Sequence, residues 1–309
     1  MLLALVQSYL IGLTVLDRLV LAILIGAVVR SVGALPASVE PGITFAATPI
    51  LEVAIVLLGA AVDLPLLLRA GPALAVGIIT LVLVALALGY GIGRALRLPP
   101  RLAVLVATGN AICGNSAIAA LAPVIGATNA EVTRAIAFTA VLGIGVVLGL
   151  PLLIAPLGLS DYQFGVLAGM SVYAVPQVLA ATLPVSALAA QVGTLVKLIR
   201  VLMLGPLIVG VSAFRSRQIV TPTPLLPWFL IGFLLLAMLR TIGVIPIWVA
   251  QPLASLSGLL TLIAMAGLGL SVDLRELRQA GARISLAAAV AMAALVTGAV
   301  LLLQVLRTT

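Results

Sequence analysis

A polar, glycine-containing segment interrupts one of the most apolar parts of the chain. Between Gly109 and Ser116 it carries Asn110 and Asn115 together with two glycines. Lipid offers no hydrogen-bond partners, so such an interruption is tolerated at membrane depth where it is buried in protein or lines a cavity. The Asn and Ser side chains could then bind a polar solute, and a half-helix beginning here would favour an anion. Close packing of small residues between helices is the alternative, which two Asn residues fit poorly.

A second polar segment, Ser171–Gln177, includes Tyr173 and Pro176. Pro176 removes a backbone donor and frees a carbonyl in the middle of an apolar stretch, with Gln177 directly beside it. This segment could be a second interrupted helix that faces the first across the bundle. An ordinary proline kink, with Gln177 satisfied by a neighbouring helix, is equally compatible with the sequence.

Three charged residues fall inside apolar stretches. Lys197 and Arg200 lie three residues apart, so on a helix they share one face. Burying two cations is costly, so they should face a cavity or partners, which suits an anionic substrate; snorkelling to the membrane interface is the alternative. Glu52 is the carboxylate placed well inside a stretch, where it could couple protons or serve as a counter-ion to the basic pair. An interfacial position for Glu52 is the other possibility.

The composition is that of a membrane protein. Of 309 residues, 64% are hydrophobic and 8% are charged, and the mean hydropathy is +1.39, whereas a soluble domain is about 25% charged. The net charge of +8 comes from basic residues scattered through short loops, which fits membrane orientation better than nucleic-acid binding. The chain has no His and no Gly-x-x-x-x-Gly-Lys loop. We therefore predict that the chain is not an enzyme and holds no metal or cofactor. The single Cys113 predicts no internal disulfide, and the absence of a charged segment and a cleavage site around the first apolar stretch predicts no removable signal peptide.

Eleven apolar stretches are predicted to cross the bilayer, or ten if the short first one does not span. They cover residues 2–16, 18–35, 42–62, 72–93, 101–125, 132–156, 163–183, 190–212, 226–244, 252–272 and 283–306. No linker is long enough to separate domains. Residues 1–309 are therefore predicted to form a single all-α, polytopic membrane domain.

Basic residues cluster in three loops that this assignment places on one side of the membrane. They are Arg94, Arg97 and Arg101, then Arg215 and Arg217, then Arg275, Arg278 and Arg283. By the positive-inside rule that side is cytoplasmic, which puts the N-terminus inside. A sequence echo between Leu58–Leu64 and Leu268–Leu274 falls an odd number of spans apart, and this indicates inverted repeats, a signature of secondary transporters.

Four segments, in order, resemble the YeiH-like family of bacterial inner-membrane proteins, which carries the label of sulfate exporters. They are AICGNSAIAALAPVI at 111–125, VKLIRVL at 196–202, PWFLIGF at 227–233 and AMAGLGL at 264–270. The resemblance implies a fold of ten or eleven helices akin to bile-acid sodium symporters and cation–proton antiporters, with inverted repeats and two broken helices that cross. The family usually carries a His where this chain has Tyr173. If that His handles protons, coupling in this chain must differ.

These observations together predict a secondary transporter of the bacterial inner membrane that moves a small anionic solute by alternating access. The predicted site consists of Asn110, Asn115, Ser116, Tyr173 and Gln177, with Lys197 and Arg200 supplying positive potential and Glu52 available for coupling. Proton coupling, sodium coupling and a homodimer all stay open. A sodium-coupled symporter of organic anions and a non-transporting membrane scaffold are the rival functions.

Overall fold

The computed structural model describes residues 18–33, 35–61, 71–214, 228–272 and 282–308. Every regular element within these ranges is helical, as predicted. The α-helices are α1 (Arg18–Val32), α2 (Glu40–Phe45), α3 (Leu51–Gly59), α4 (Gly71–Ala95), α5 (Pro100–Ala111), α6 (Asn115–Ile125), α7 (Asn129–Gly149), α8 (Ile154–Leu157), α9 (Asp161–Ser171), α10 (Val175–Thr182), α11 (Ala187–Leu202), α12 (Leu204–Phe214), α13 (Trp228–Thr241), α14 (Ile247–Leu270) and α15 (Ala282–Thr308). A π-helical turn, Ala46–Ile50, joins α2 to α3 around Pro49.

Ten of the eleven predicted spans correspond to these helices, and the first, residues 2–16, lies outside the described residues. Within the described ranges, five helical segments are long and apolar enough to cross a bilayer: Glu40–Gly59, Ala73–Ala95, Ala187–Ser212, Ile247–Leu270 and Ala282–Val305. Helices α1 and α13 are shorter. The chain is thus an all-α, multi-pass membrane protein.

The helices form two groups that pack mainly within themselves. A small bundle consists of α1, the α2–α3 span, α13 and α14, and a large bundle contains α4 to α12 with α15. Glycines bring the helices of the small bundle together: a Cβ at Gly269 would lie 2.3 Å from the Ile23 carbonyl oxygen, and one at Gly59 would lie 2.3 Å from the Phe233 carbonyl oxygen. Such backbone-to-backbone contact gives close helix packing in lipid, where burial of apolar surface gives no driving force.

In the large bundle, α4 and α15 run antiparallel. Gly77 packs against Leu302, and Gly89 packs near Ala291. The end of α4 and the start of α15 therefore lie at the same end of the bundle, as the predicted clustering of basic loops requires. The side of the membrane that this end faces stays a prediction. The echo between 58–64 and 268–274 falls partly outside the described residues, so the inverted repeat also stays a prediction.

Contacts between the two bundles are sparse and centre on α10. This helix packs against α14 and α1, and α7 also contacts α1. At another point the Gln191 side-chain amide donates to the Ala61 carbonyl oxygen at 2.9 Å. The short helix α10 is therefore the principal described bridge between the bundles.

Two spans of the large bundle are broken at their centres, which the first polar segment predicted and the second left open against a proline kink. The first break, Ile112–Gly114, separates α5 from α6, and the second, Val172–Ala174, separates α9 from α10. Gly114 has φ of 66° and ψ of −125°, a conformation that L side chains rarely adopt. A Cβ there would also lie 3.3 Å from the Tyr173 Cβ. The two breaks therefore lie against each other, with a glycine at the point of contact.

Candidate functional site

The two buried cations bind the ends of broken helices rather than open space. The Lys197 ammonium donates to the carbonyl oxygen of Ile112 in the first break and to that of Val172 in the second, at 2.8 Å in the latter case. Lys197 is fully buried. It therefore joins the two breaks through their carbonyl groups, and the snorkelling alternative is wrong for this residue.

Arg200 makes the same kind of contact with all three guanidinium nitrogens. Nε and Nη2 donate to the Ala111 carbonyl at 3.0 and 2.7 Å, and Nη2 also donates to Asn110 O at 3.0 Å. Nη1 donates to Gly169 O at 2.9 Å and to Val172 O at 3.3 Å. The residue is 1% exposed. All three guanidinium nitrogens therefore donate to backbone carbonyl groups at or just beyond the C-terminal ends of α5 and α9.

This arrangement follows from helix electrostatics. The last carbonyl groups of a helix have no partner within it and carry partial negative charge, which cations stabilise. Lys197 and Arg200 stand on successive turns of α11 and so reach both broken ends at once. Of the two possibilities predicted, a cavity or partners, the described structure shows partners, and these are backbone carbonyl groups.

The N-terminal ends of the second half-helices are left without such partners. Helix α6 begins at Asn115 after Gly114, and no side chain caps it. Helix α10 begins at Val175, where the Gln177 Oε1 accepts from the Ala174 N–H at 3.3 Å. The remaining first-turn N–H groups carry the positive end of each helix dipole. Among the described residues, the two breaks thus have cation-bound carbonyl groups on one side and, on the other, first-turn N–H groups without a side-chain partner.

Helix α7 brings the amides of Asn115 and Gln177 to one face. The Thr139 hydroxyl donates to Asn115 Oδ1, and one turn later Gly143 leaves room for Gln177, since a Cβ there would lie 2.4 Å from Nε2. Positions 139 and 143 are four residues apart, about 6 Å along the axis. Gln177 is 5% exposed and Asn115 is exposed. Neither amide nitrogen has an acceptor among the described residues.

Asn110 and Tyr173, both predicted to line the site, instead tie the breaks together. The Tyr173 hydroxyl donates to Asn110 Oδ1 at 2.5 Å, and Asn110 Nδ2 donates to the Ala288 carbonyl on α15 at 3.0 Å. Both side chains are 2% exposed, and Phe138 packs edge-on against the Tyr173 ring at 6.4 Å. All polar atoms of Asn110 are engaged, so its role here is to hold α5, the second break and α15 in register.

Ser116 and Glu52 complete the predicted set. Ser116 is exposed in the first turn of α6, and its hydroxyl lies 3.0 Å from the Cys113 sulfur in the first break. Glu52 lies in the small bundle, where its Oε2 accepts from the Trp228 indole at 2.7 Å. The structure therefore places Ser116 with the breaks and Glu52 elsewhere. Among the described residues, no cluster of His, Cys, Asp or Glu could hold a metal ion.

The sequence reasoning missed Thr139 and Gly143. Both stand on α7, an apolar span without a polar segment of its own. The sequence does show a Thr followed four residues later by a Gly, and on a helix this spacing places a hydroxyl group and a position without a side chain on the same face. Without knowledge of which helix faces the breaks, this spacing carries little information.

Comparisons with known proteins agree with the membrane fold. The model of a family described as conserved hypothetical protein 698 matches residues 1–288. A UPF0324 membrane protein of Brucella melitensis is 51% identical over 94% of this chain and 82% of its own length. One of Agrobacterium fabrum is 51% identical over 90% and 81%, and one of Bacillus anthracis is 34% identical over 92% and 86%. No solved structure matches the chain significantly.

Proposed function

The chain belongs to the family described as conserved hypothetical protein 698, whose curated relatives are named membrane proteins, and we propose that it is a secondary transporter. In this proposal it exports a small inorganic or sulfur-containing anion across the bacterial inner membrane by alternating access, with its N-terminus in the cytoplasm. No enzymatic activity and no cofactor are proposed. The YeiH-like resemblance of the sequence fits this family.

The observation that carries the proposal is the asymmetry of the two breaks. Their carbonyl ends are bound by Lys197 and Arg200, while the opposing ends present first-turn N–H groups beside the amides of Asn115 and Gln177. Helix N-termini bind anions because their N–H groups point at the ligand and the dipole favours negative charge. Two such ends at adjacent breaks, both of which are contacted by two buried cations, favour an anionic ligand over a neutral or cationic one.

The division into bundles supports alternating access. The site lies in the large bundle, and α10, which carries Gln177, is also the main contact with the small bundle. The glycine contacts within the small bundle, such as Gly269 against Ile23, make it a tightly packed unit. A sparse boundary between two well-packed units is where relative movement is least costly. Movement at this boundary would change the exposure of α10 and of the ligand.

Coupling to an ion gradient is part of the proposal, but no described carboxylate contacts the breaks. Each of the described acidic residues lies elsewhere: Glu40 pairs with Arg30, Glu52 accepts from Trp228, Glu131 caps α7 with Thr128, and Asp161 begins α9. Proton coupling through Glu52 would therefore act at the small bundle and not by contact with the ligand.

Ligand-induced stabilisation of the purified protein tests the proposal. We expect sulfate, sulfite, thiosulfate or an organic sulfonate to raise the melting temperature, since ligand at 100 times its Kd adds about 2.7 kcal/mol to stability. The Gln177→Leu variant should lose this shift. Gln304→Leu, at an exposed position on α15, is the matched control and should keep it.

The same proteins in liposomes separate the rival functions. Efflux of the stabilising anion should be lost in Gln177→Leu and kept in Gln304→Leu. Uptake that requires sodium would point instead to a sodium-coupled symporter. Stabilisation by neutral or cationic solutes alone, or no flux of any anion, would contradict the proposal.

A further inference from the structure

We propose that Thr139 on α7 is a positioning residue, which turns the Asn115 amide nitrogen towards the bound anion without touching the anion itself. This inference rests on the proposed function and goes further, because it assigns a role to a residue that is not one of the ligand-binding groups. It follows from the surroundings of the Thr139 hydroxyl and from the free amide nitrogen of Asn115.

The Thr139 side chain is held in one orientation by its packing. It is 2% exposed, and its methyl carbon Cγ2 faces Gly109 of α5, where a Cβ would lie 3.4 Å away. A β-branched side chain has a stiff χ1, so the packing that places the methyl group also places the hydroxyl group. The hydroxyl oxygen lies beside Asn115 Oδ1 and 2.8 Å from the Ile136 carbonyl oxygen of its own helix. The Thr139 hydroxyl is therefore a fixed point at the start of α6.

The single proton of this hydroxyl has two acceptors within reach. The Ile136 carbonyl lies inside the continuous helix α7, where it already accepts from the N–H four residues later. Asn115 Oδ1 has no other donor among the described residues, and the Thr139 hydroxyl donates to it. Donation to Asn115 thus supplies the acceptor that would otherwise lack a partner. The Asn115 amide nitrogen is then turned away from Thr139, where it is free to donate to a ligand.

The same atoms allow one other arrangement. The hydroxyl can donate to the Ile136 carbonyl and accept from the Asn115 amide nitrogen, which turns Asn115 Oδ1 away from Thr139 instead. An anion beside Asn115 repels this oxygen but accepts from the nitrogen, so anion binding favours the first arrangement.

Without Thr139, the Asn115 side chain would lose this guidance. Asn115 is the first residue of α6 and is exposed, so its packing does not hold the amide in place. An unguided amide has to be ordered when the anion binds, and ordering a side chain on binding weakens affinity. Thr139 limits the amide to two arrangements, and the anion selects one of them. The expected effect of the hydroxyl is therefore on anion affinity, and it depends on the presence of the Asn115 amide.

Titration of the purified protein with sulfate, sulfite and thiosulfate tests the inference. Thr139→Val keeps the shape of the side chain and removes the hydroxyl, and we expect it to raise the Kd of the anion that binds about three- to tenfold, the effect of one lost neutral hydrogen bond. Thr139→Ser keeps the hydroxyl and should restore most of the affinity. Thr297→Val is the matched control, because the Thr297 hydroxyl also donates to a carbonyl of its own helix, Ala293 O at 2.9 Å, at an exposed position of α15. It should leave the Kd unchanged.

A double-mutant cycle separates positioning from a general structural role. Asn115→Ala removes the amide through which Thr139 acts, so Thr139→Val should cause no further rise in Kd in that background. Thr139→Ala carries the same expectations and takes the place of Thr139→Val if the valine variant does not fold. An unchanged Kd after loss of the hydroxyl, or an equal rise with and without the Asn115 amide, would overturn the inference. Absence of binding of all three anions to the wild-type protein would instead defeat the proposed function, and the inference with it.

Discussion

Substitution of Gly143 by Ala should weaken anion binding without removing any ligand-binding group, because the added Cβ displaces the Gln177 amide. A Cβ at this position would lie 2.4 Å from Gln177 Nε2, 2.9 Å from Oε1 and 3.0 Å from Cδ. Ordinary contact begins near 3.4 Å, so the amide has to retreat by about 1 Å. The bond from the Ala174 N–H to Oε1 is already 3.3 Å long, and this retreat breaks it.

The expected loss can be worked from these contacts. A hydrogen bond of this kind contributes about 0.5–1.5 kcal/mol, and overpacking a filled site costs about 1–3 kcal/mol. Part of this free energy lowers the stability of the folded protein. The rest weakens anion binding, because the free amide nitrogen of Gln177 is displaced. We therefore expect the Kd for the stabilising anion to rise about tenfold, which corresponds to about 1.4 kcal/mol.

The assay is anion titration of the purified variants, followed by melting temperature or calorimetry. Gly145→Ala is the matched control, because it lies on the same helix two residues further along and its Cβ would have no atom within 4 Å. If Gly143→Ala and Gly145→Ala bind the anion with the affinity of the wild-type protein, Gln177 is not part of the site and the reasoning is refuted.

Three further perturbations probe the break, its access and the small bundle. Tyr173→Phe leaves the buried Asn110 Oδ1 without its donor and should cost about 1–3 kcal/mol of stability in a denaturation experiment; a variant as stable as the wild type would contradict the tie between the breaks. Cys113, 7% exposed, should react slowly with a maleimide. A bound anion should change that rate, because the thiol lies in the first break, two residues before α6 begins. An unchanged rate at saturating anion would contradict the position of the site. Gly269→Val should abolish folded protein in size-exclusion chromatography, since its side chain meets backbone atoms, whereas Gly258→Val on the same helix meets nothing within 4 Å and should fold; equal behaviour would contradict the packing.

The position of the first break could be predicted from sequence, because polar and glycine residues at membrane depth are unfavourable in a continuous lipid-exposed helix. For the second segment the sequence left a broken helix and an ordinary proline kink equally open, and the structure shows a break. Pro176 stands in the first turn of α10, where its missing N–H costs nothing. These are local properties of the chain, which a single sequence carries.

The partners of the buried side chains could not be predicted in this way. Lys197 and Arg200 contact carbonyl groups that lie 25 to 90 residues away in the sequence, and Asn110 meets Ala288 across 178 residues. The sequence predicted that the cations face a cavity or partners, but not which groups those partners are. Backbone carbonyl groups are present in every residue, so the sequence gives no sign of which of them will be free.

The binding of Lys197 and Arg200 by broken helix ends also bears on how the protein is made. Helix α11 follows α5 and α9 in the chain, so both sets of carbonyl groups are already synthesised when the two cations emerge. A Lys or Arg at the centre of an isolated helix costs about 2.5–3.5 kcal/mol on insertion, and the pair would make α11 a poor membrane segment by itself. The earlier half-helices supply the missing partners. Biogenesis of the large bundle is therefore expected to be sequential, with α11 entering the bilayer alongside α5 and α9 rather than before them.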